Sequence, residues 1–342
     1  MERKKTKTVM VGNVPIGSGH PIAVQTMWDK PIQAYSIALL DEIGALHRLG
    51  CNIIRFSAQS DADIDILKKL VPDSPVPVVA DIHFDFKLAL KSIAAGVQKI
   101  RINPGNIGAD WKVREIIHAA SDQNCAIRIG LNGGSLPVQV RNNKNRSETM
   151  INLVEDYINL FLSESFENII ISLKDSDHEI TYQVNKLFSE RFTYPLHLGV
   201  TEAGPVIPSI IRSAYTLGRL LQEGIGDTIR VSITGPLKDE IYAGKEILKM
   251  MNLYESGVKL VSCPKCGRSG FDTHWFVSEM QDYFQTITNN ISIAVMGCAV
   301  NGPGEASHAD IGITGIGKEV FIFRKGEIVK KTTKQKCKIE FI

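Results

Sequence analysis

The pattern from which the fold can be predicted is complete in the stretch from Pro77 to Asn103, PVVADIHFDFKLALKSIAAGVQKIRIN. It begins with a β-branched run, Pro77–Asp81, that ends in a polar residue. A loop and a helical stretch follow, and a second apolar run, Lys99–Asn103, again ends in a polar residue. Runs of this kind, without clean alternation, are typical of parallel strands that helices cover. The stretch therefore predicts a strand–helix–strand unit of a parallel sheet.

The same pattern recurs from residue 20 to about residue 235 and predicts eight strands. Their ranges are Ile22–Gln25, Asn52–Phe56, Pro77–Asp81, Lys99–Asn103, Ala126–Gly130, Ile169–Leu173, Leu196–Val200 and Thr228–Ser232. Helical patterns fill the gaps; Ile210, Leu217 and Leu221, for example, share one face of a predicted helix. Eight such units favour a (β/α)8 TIM barrel over an open sheet. No glycine-rich dinucleotide fingerprint follows the first strand, which weakens the Rossmann alternative.

The pattern changes near residue 240, where a small α/β unit begins. Its predicted elements are helices at Lys238–Leu253 and Asp272–Thr288 and strands at Val258–Ser262, Ile291–Met296, Ile311–Thr314 and Val320–Phe323. We therefore predict an α/β protein with a TIM-barrel, substrate-binding domain at residues 1–240 and a small C-terminal α/β domain at residues 241–342. The segment Arg141–Arg146 is predicted to be an exposed loop within the barrel.

Composition and charge exclude several classes of protein. The chain has 342 residues, with 39 lysines and arginines against 37 aspartates and glutamates. The formal net charge of +2 argues against a nucleic-acid binder that depends on bulk positive charge. Six cysteines are too few for a disulfide scaffold, and no apolar run approaches the ~18 residues of a membrane span. The basic N-terminus lacks the apolar core of a signal peptide, so we expect a soluble, cytoplasmic protein.

Cations are concentrated where the active site of a (β/α)8 barrel is built, at the carboxyl ends of the strands. These cations are Arg55, Arg101, Arg128, Lys174 and Arg230. At this density they need an anion or compensating carboxylates, and arginine suits bidentate phosphate binding. One interpretation is a set of internal salt bridges with Asp81 and Glu202. For the set as a whole we favour the other, a site for a substrate with two phosphates.

The same strand ends carry groups that can hydrogen-bond to a substrate or exchange a proton with it. The polar residues are Gln25, Ser57, Asn103, Asn132, Thr201 and Ser232, and the titratable ones are Asp81, His83 and Glu202. A lone histidine after a strand is more often a packed or surface residue than a catalytic one. Glu202 is predicted to open the helix after the seventh strand, so helix capping is an alternative role for it.

The cysteines divide into two groups, of which the first has no evident chemistry. Cys51 and Cys125 each precede an apolar run, so we expect both to be small buried residues. Cys337 lies in a polar tail and has no evident partner in the sequence.

The second group, Cys263, Cys266 and Cys298, has the spacing of metal ligands with one ligand missing. A structural zinc site normally takes four cysteine or histidine ligands, and His274 and His308 are candidates for the fourth. Three thiolates without an obvious fourth instead suit a [4Fe–4S] cluster whose last iron has a weaker ligand or is open to substrate. The glycine-rich segment after Cys298 supplies a nearby carboxylate. The spacing favours the cluster and leaves zinc as the alternative.

Motifs in both parts of the chain resemble those of one enzyme family. They lie at Ala80–Phe84, Lys99–Asn106, Leu198–Gly204, Ser262–Arg268, Met296–Ala306 and His308–Gly315. Together they resemble the motifs of the flavodoxin- or ferredoxin-dependent 4-hydroxy-3-methylbut-2-en-1-yl diphosphate synthases. These are oxidoreductases of the methylerythritol phosphate route of isoprene biosynthesis, and the resemblance runs nearly the whole chain.

The resemblance implies a TIM barrel followed by a domain whose [4Fe–4S] cluster is held by Cys263, Cys266, Cys298 and Glu305. It implies a homodimer in which each cluster domain caps the partner's barrel. Reduced flavodoxin or ferredoxin is the implied electron donor. The implied substrate is 2-C-methyl-D-erythritol 2,4-cyclodiphosphate, whose two phosphates match the cationic strand ends.

The resemblance also implies a reductive ring opening and dehydroxylation that yields 4-hydroxy-3-methylbut-2-enyl diphosphate, with electrons delivered through the cluster. On this basis Glu202 and Glu305 are predicted to be catalytic, with Glu202 as the acid near the departing oxygen. The predicted substrate-binding residues are Arg55, Asp81, Arg101, Asn103, Arg128, Asn132, Lys174, Thr201, Arg230 and Ser232. The loop Trp28–Lys30 and the acid Asp175 depart from the family's pattern, which leaves the contacts of these loops open.

Two other classes of protein remain alternatives. One is a redox-inactive, phosphate-binding barrel, such as an aldolase or a pterin-type transferase, with a zinc-ribbon tail that recruits a partner. The other is an iron–sulfur electron carrier for which the barrel is a scaffold. A cluster makes the protein brown whereas zinc leaves it colourless, and turnover of the cyclodiphosphate distinguishes an enzyme from a carrier.

Overall fold

The structure is a computed structural model that describes residues 2–136, 145–267, 269–298, 304, 306–316 and 319–342. The chain divides into two compact units, the first ending at Tyr254 and the second running from Glu255 to Ile342. Each unit has its own apolar core.

A parallel sheet of eight strands is the centre of the first unit, as the recurring sequence pattern predicts. A hairpin of β1 (Val9–Val11) and β2 (Val14–Ile16) precedes it. The sheet contains β3 (Ala23–Met27), β4 (Ile53–Ser57), β5 (Val78–Asp81), β6 (Lys99–Ile102), β7 (Ala126–Asn132), β8 (Ile169–Lys174), β9 (His197–Leu198) and β10 (Thr228–Ile229).

The order of these strands confirms the predicted barrel. Seven parallel pairings connect β8, β7, β6, β5, β4, β3, β10 and β9 in that order. A parallel bridge between Ile171 of β8 and Leu196, next to β9, then joins the two ends of the sheet. The result is the (β/α)8 TIM barrel. Below, the end of the barrel at the carboxyl ends of its strands is called the mouth.

Helices follow the strands around the barrel. They are α1 (Ile37–Arg48), α2 (Asp61–Leu70), α3 (Phe86–Ala94), α4 (Pro104–Ile107), α5 (Asp110–Asp122), α6 (Arg146–Ser163), α7 (His178–Arg191), α8 (Val206–Gln222) and α9 (Leu237–Met250). Because each helix follows the carboxyl end of a strand, the first turns of these helices surround the mouth.

Side-chain caps explain where several helices begin. Ser36 accepts a hydrogen bond from the Leu39 amide at 3.2 Å, and Asp177 accepts one from the Glu179 amide at 2.8 Å. Caps of this kind satisfy amide groups that have no partner within the helix. They fix the start of α1 and of α7.

The opposite end of the barrel is closed by the hairpin. Val11 and Ile16 are fully buried and form one cluster with Ile53, Val79 and Ile170, at or near the starts of three barrel strands. This apolar plug fills the end of the barrel opposite the mouth. Cys51 and Cys125 are also buried, as predicted.

Some local expectations differ from the structure. Glu202 does not open a helix, because α8 begins at Val206 after a turn. In α8, Leu217 and Leu221 are buried as predicted, but Ile210 is partly exposed. Of the segment predicted as an exposed loop, residues 141–144 lie outside the described residues, and Arg146 is the first residue of α6.

The second unit is a five-stranded mixed sheet with two helices among its described residues. The elements are β11 (Val258–Ser262), α10 (Thr273–Thr286), β12 (Ile291–Val295), β13 (Ile311–Ile316), β14 (Glu319–Arg324), β15 (Glu327–Thr332) and α11 (Cys337–Phe341). The strands lie in sequence order; β11, β12 and β13 are parallel, and β14 and β15 are antiparallel to their neighbours. The predicted strands and helix of this region are confirmed, whereas β15 and α11 were not anticipated.

Cys337 is not part of a polar tail. It opens α11 and is fully buried in the same cluster as Phe276, Phe284 and Phe341. Burial raises the pKa of its thiol, and its Sγ donates a hydrogen bond to the Lys334 carbonyl at 3.2 Å. The sequence did not indicate this burial, because Cys337 stands among lysines and a lysine-rich stretch is typical of a solvent-exposed segment.

No helix within the described ranges combines the length and the apolar character needed to cross a membrane.

Candidate active site

The five predicted cations come together at the mouth. Arg55, Arg101, Arg128 and Lys174 lie on four strands of the barrel, and Arg230 directly follows β10. Arg128 and Lys174 are buried, and the other three side chains are at most 17% exposed. Guanidinium and ammonium groups lose much of their hydration in such a place, so each needs an anionic or hydrogen-bonding partner.

Asp81 is the partner of two of these arginines. Its carboxylate oxygens lie 3.6 Å from Arg55 Nε and 3.4 Å from Arg101 Nη1. Burial alone would raise the pKa of Asp81, but the charges of Arg55, Arg101 and Arg128 outweigh burial and hold the pKa below its usual value. Burial lowers the pKa of Arg55 to about 10. Asp81 therefore stays ionised and fixes the positions of two cations.

Glu240 plays the corresponding part for Arg230 and was not anticipated. Its two carboxylate oxygens accept from Arg230 Nε at 3.0 Å and Nη2 at 2.8 Å. The same carboxylate accepts from Thr26 Oγ1 at 2.7 Å and from the Ile233 amide at 3.1 Å. Glu240 lies in the first turn of α9, where an acid is ordinarily explained by the helix dipole, so nothing in the sequence indicated that its side chain points into the barrel.

The interpretation that the mouth arginines form internal salt bridges is therefore correct for three of them, although the acids are Asp81 and Glu240 rather than Asp81 and Glu202. Arg55 and Arg101 pair with Asp81 and Arg230 pairs with Glu240, whereas Glu202 has none of these contacts. Among the described residues no carboxylate forms a salt bridge with Arg128 or Lys174, and Arg128 Nε has no hydrogen-bond partner. Burial, together with the nearby arginines, lowers the pKa of Lys174 well below its ordinary value.

Two more basic side chains lie deeper in the barrel. Lys99 and His197 begin β6 and β9 and are fully buried, and the charges of Arg55 and Arg128 reach both. Burial is the main reason that the pKa of each is lowered well below its ordinary value. Within the described part of the chain neither Lys99 Nζ nor the His197 ring nitrogens have a hydrogen-bond partner. The sequence did not single out either residue, because the site residues were predicted at the strand ends and these two stand at strand starts.

Glycines at the mouth give the cations room. A Cβ on Gly130 would lie 2.5 Å from Arg101 Nε, and one on Gly199 would lie 2.7 Å from Lys174 Nζ. Contacts this short do not occur between real side chains, so only glycine permits these cation positions. Gly130 also accepts a hydrogen bond from Arg101 Nη2 through its carbonyl at 3.2 Å.

The predicted polar residues lie in the loops around the cations. Asn103 is buried, and its side chain accepts from the Gly105 amide at 3.2 Å. Asn132 ends β7, and Ser232 is half-buried after β10. Thr201 is half-buried, and its amide donates to the Asp175 carbonyl at 3.3 Å. All four lie at or just after the carboxyl ends of barrel strands, at the mouth, as predicted.

The two remaining titratable candidates are exposed. Glu202 lies in a turn with a φ of 53°, in the left-handed region that is unusual for a residue other than glycine. His83 is exposed next to Phe84, and their ring centroids are 6.1 Å apart. Within the described ranges, the exposed Glu202 side chain makes no hydrogen bond or ion pair with another residue.

The three predicted ligand cysteines lie at one edge of the second sheet. Cys263 directly follows β11 and Cys298 comes shortly after β12, the parallel neighbour of β11. Cys263 donates its amide to the Val295 carbonyl at 2.9 Å, and a Cβ on Gly297 would lie 3.7 Å from Cys263 Sγ. The loop of Cys263 and the loop of Cys298 are therefore in contact.

Hydrogen bonds hold these two loops in place. The Ser269 amide donates to the Cys266 carbonyl at 2.9 Å, and Ser269 Oγ lies 3.1 Å from the Gly297 carbonyl. Thr314 Oγ1 donates to the Cys298 carbonyl at 3.0 Å. Cys266 is exposed, Cys263 is half-buried and Cys298 is buried, and no disulfide joins the described cysteines.

The surroundings of these cysteines bear on which kind of metal group they could hold. Within the described residues no three histidine, cysteine or acidic side chains are grouped to hold one metal ion. His274, a candidate for the zinc alternative, has its Nε2 3.0 Å from the Pro264 carbonyl, and His308 is exposed. In a [4Fe–4S] cluster each thiolate binds a different iron, so the ligands need not converge on one point. Glu305 lies outside the described residues.

Comparison with models of known families shows to which family the chain belongs. A model of the GcpE TIM-barrel domain matches residues 6–245, and a model of the GcpE protein C-terminal domain matches residues 259–342. The chain belongs to the GcpE family. The resemblance predicted from the motifs is thereby confirmed.

Curated relatives agree with the GcpE assignment. A protein of Geobacter sulfurreducens named 4-hydroxy-3-methylbut-2-en-1-yl diphosphate synthase (flavodoxin) is 44% identical over 331 residues, which cover 96% of this chain and 94% of the relative. A protein of Clostridium perfringens with the same name is 41% identical over 344 residues, covering 100% and 98%.

A solved structure shows that the GcpE barrel shares its fold with other enzymes. The 7,8-dihydropteroate synthase from Vibrio fischeri ES114 is similar with a TM-score of 0.53 over 72% of this chain and 97% of that one. The two sequences are only 12% identical. This likeness concerns the fold and carries no conclusion about the reaction.

Proposed function

We propose that this GcpE-family chain is an iron–sulfur oxidoreductase that converts 2-C-methyl-D-erythritol 2,4-cyclodiphosphate to 4-hydroxy-3-methylbut-2-enyl diphosphate. Its curated relatives bear the name of the synthase that forms this product. In the structure, the mouth carries the proposal: five cations converge there, and the buried carboxylates that contact them are Asp81 and Glu240. The two phosphates of the cyclic substrate supply the negative charge that this arrangement lacks.

The five cations of the mouth fall into two groups, according to whether a carboxylate contacts them. Arg55, Arg101 and Arg230 are held by carboxylates, so their guanidinium groups are preorganised and can bind a phosphate with little loss of side-chain freedom. Arg128 and Lys174 have no carboxylate partner among the described residues, and they gain most from an arriving anion. A phosphate that meets both would restore the charge-assisted hydrogen bonds that burial has removed.

The neighbouring polar residues complete the proposed substrate site. Asn103, Asn132, Thr201 and Ser232 follow four different strands, so they can surround a ligand bound among the cations. Asp81, predicted to bind substrate, contacts two arginines instead. We assign it to positioning these cations, because a carboxylate in direct contact with a phosphate would repel it.

Glu202 is our candidate for the catalytic acid. The reduction consumes two electrons and releases the C3 hydroxyl as water, so a proton must reach the departing oxygen. Glu202 is exposed at the rim of the mouth, and its left-handed backbone conformation is of the kind that local structure must hold in place. Glutamate is a common general acid, and a position near the departing oxygen would let it supply this proton.

Cys263, Cys266, Cys298 and Glu305 would hold the [4Fe–4S] cluster. The three thiols lie on two connected loops at one sheet edge, which supports their use as ligands of separate irons. When bound, the cluster supplies electrons one at a time. The assignment of Glu305 rests on the family resemblance. Glu305→Ala is therefore expected to lower the iron content of the anaerobically purified protein or to change its Mössbauer spectrum.

We further propose a homodimer in which the cluster unit of one chain covers the mouth of the other. Apolar side chains exposed around the mouth support a covering partner. Phe84 follows β5, and Ile37, Trp111, Ile207 and Ile211 lie in or near the first turns of α1, α5 and α8. Exposed apolar groups concentrated at one end of a barrel mark an interaction surface. The donor of the electrons is reduced flavodoxin or ferredoxin, and we expect the enzyme to act in the cytoplasm.

The deciding experiment is anaerobic purification followed by turnover of the cyclodiphosphate with chemically reduced flavodoxin. A brown protein with broad visible absorbance and formation of the allylic diphosphate are the expected results. A colourless, zinc-containing protein would support the redox-inactive barrel. A brown protein that passes electrons to a dye but leaves the cyclodiphosphate intact would instead identify an electron carrier.

A further inference from the structure

Lysines are concentrated on the second unit beside the loop of Cys263 and Cys266. The segment Lys330–Lys338 contains five lysines and no acidic residue. Lys334 and Lys336 are exposed, and Lys338 is half-buried. Lys265, between the two cysteines, is exposed as well. We define the lysine patch as Lys265, Lys334, Lys336 and Lys338.

The members of the lysine patch lie around one aromatic ring and have two acidic neighbours, Asp272 and Glu279, of which Glu279 is 2.6 Å from Lys338 Nζ. Lys334 Nζ lies 4.9 Å from the centroid of the Trp275 ring, and Lys338 Nζ lies 5.9 Å from it. Asp272 is 3.5 Å from Lys265 Nζ and 4.0 Å from Lys334 Nζ. One carboxylate thus connects the lysine of the cysteine loop to the lysine beside Trp275, and it cannot neutralise both.

The lysine patch is rigidly connected to the proposed ligand loop. Thr273 Oγ1 donates a hydrogen bond to the Cys263 carbonyl at 2.9 Å, and His274 Nε2 lies 3.0 Å from the Pro264 carbonyl. Trp275 follows directly in the first turn of α10. A protein bound at the patch would therefore be held at a short, fixed distance from the residues that hold the cluster.

We propose that the lysine patch is the docking surface for the electron donor, a small redox protein with an acidic surface around its cofactor. The inference rests on the proposed function, which requires electrons to enter from such a protein one at a time. Exposed cations around a partly buried tryptophan have the chemistry of this interface: the charges steer the encounter, and the ring supplies apolar contact area. In each encounter the donor would lose one electron, and a cluster held by Cys263, Cys266 and Cys298 would accept it.

The test is the double variant Lys334→Glu/Lys336→Glu in the holoenzyme. We expect the affinity for oxidised flavodoxin, measured by calorimetry at low ionic strength, to fall at least tenfold, and the KM for reduced flavodoxin to rise to match. Turnover driven by dithionite, a small reductant that needs no docking surface, should stay within twofold of the parent protein. The matched control is Lys68→Glu/Lys69→Glu, the same charge change on exposed lysines of α2, which should leave flavodoxin binding unchanged.

Three results would overturn the proposal. The first is unchanged flavodoxin affinity and KM in the double variant. The second is an equal fall of dithionite-driven and flavodoxin-driven turnover, which would place the lysines in the reaction or in folding. The third is a changed oligomeric state in size-exclusion chromatography, which would make the patch a contact between copies of this chain. A parent protein that binds flavodoxin but never converts the cyclodiphosphate would refute the proposed function separately, because binding is measured without turnover.

Discussion

The carboxylate of Asp175 occupies the space that a side chain on Gly133 would need, since a Cβ on Gly133 would lie 1.8 Å from Asp175 Oδ2. The carboxylate cannot easily move away. Its Oδ2 accepts from Arg146 Nη1 at 3.0 Å and its Oδ1 from the Asp177 amide at 2.9 Å. The acid that departs from the family's pattern thus connects the segment after β7, the start of α6 and the loop after β8. It requires glycine at position 133.

We expect Gly133→Ala to destabilise the protein by about 1–3 kcal/mol, the usual range for overpacking a tight site. In an Asp175→Ser background the same substitution should cost less than about 0.5 kcal/mol, because the obstructing oxygen is gone. Gly134→Ala is the matched control, since a Cβ there would meet nothing within 4 Å. Thermal unfolding of the four variants measures the coupling. Equal effects of Gly133→Ala in both backgrounds would show that the two residues do not interact.

Arg128→Ala is expected to weaken substrate binding and to leave the iron content unchanged. Arg128 is a buried cation without a carboxylate partner among the described residues, so a bound phosphate would form a charge-assisted hydrogen bond with it. Losing such a bond costs ~1.5–3 kcal/mol, or roughly a ten- to hundredfold rise in Kd. Arg48→Ala, on the exposed side of α1, controls for the loss of one charge. An unchanged KM in a correctly folded Arg128→Ala protein would exclude this residue from the phosphate site.

These cations show what the sequence could predict. The positions of four of them could be predicted from the apolar pattern of the strands and from their place at the strand ends. A parallel strand of a closed barrel places its last inward residues at the mouth. The four are Arg55, Arg101, Arg128 and Lys174. Glu240 could not be found in this way, because its partner Arg230 is ten residues earlier on another element. The contact depends on the path of the loop between them.

The second unit shows the same limit. Strand β11 was predicted with its observed bounds, since the apolar residues Val258, Leu260 and Val261 are concentrated in this short segment. Strand β15, Glu327–Thr332, lies at a sheet edge and was missed because three of its six residues are charged, which leaves only the apolar pair Ile328 and Val329. Charged residues are typical of such edges.

Lys174 should make substrate binding depend on pH. Burial and the surrounding arginines lower the pKa of its ammonium group well below the ordinary value. As pH rises through this lowered pKa, Lys174 of the free enzyme loses its proton. The enzyme must then take up a proton when the phosphate binds. Binding should therefore weaken with rising pH. Lys174→Arg should flatten the dependence, because a guanidinium keeps its proton. The measurement is KM against pH for both proteins; parallel profiles would contradict the prediction.

His197 should make the folded state less stable in mild acid. Burial, with help from Lys174 and Arg128, lowers the pKa of its imidazole well below 6.5, so the folded chain keeps it neutral. In the unfolded chain it takes up a proton as pH falls through about 6.5. The unfolded state then binds more protons, and stability declines by up to ~1.4 kcal/mol per pH unit below that point. In thermal unfolding, His197→Met should reduce this slope, whereas His83→Gln, at an exposed histidine, should keep it.

Five of the six cysteines should separate into two sets by iron content. Cys263, Cys266 and Cys298 lie on the connected loops at the sheet edge, so changing any of them to serine should remove most of the bound iron and the visible absorbance. Cys51 and Cys337 are fully buried in apolar cores, and burial raises the pKa of Cys51 to about 12, so these thiols stay protonated and cannot serve as thiolate ligands. Cys51→Ala and Cys337→Ala are therefore the matched controls, with full iron content and a modest loss of stability. Iron analysis and absorbance spectra of the anaerobically purified variants measure both sets. Iron loss in Cys337→Ala at unchanged thermal stability, or full iron in Cys266→Ser, would reverse the assignment of ligands.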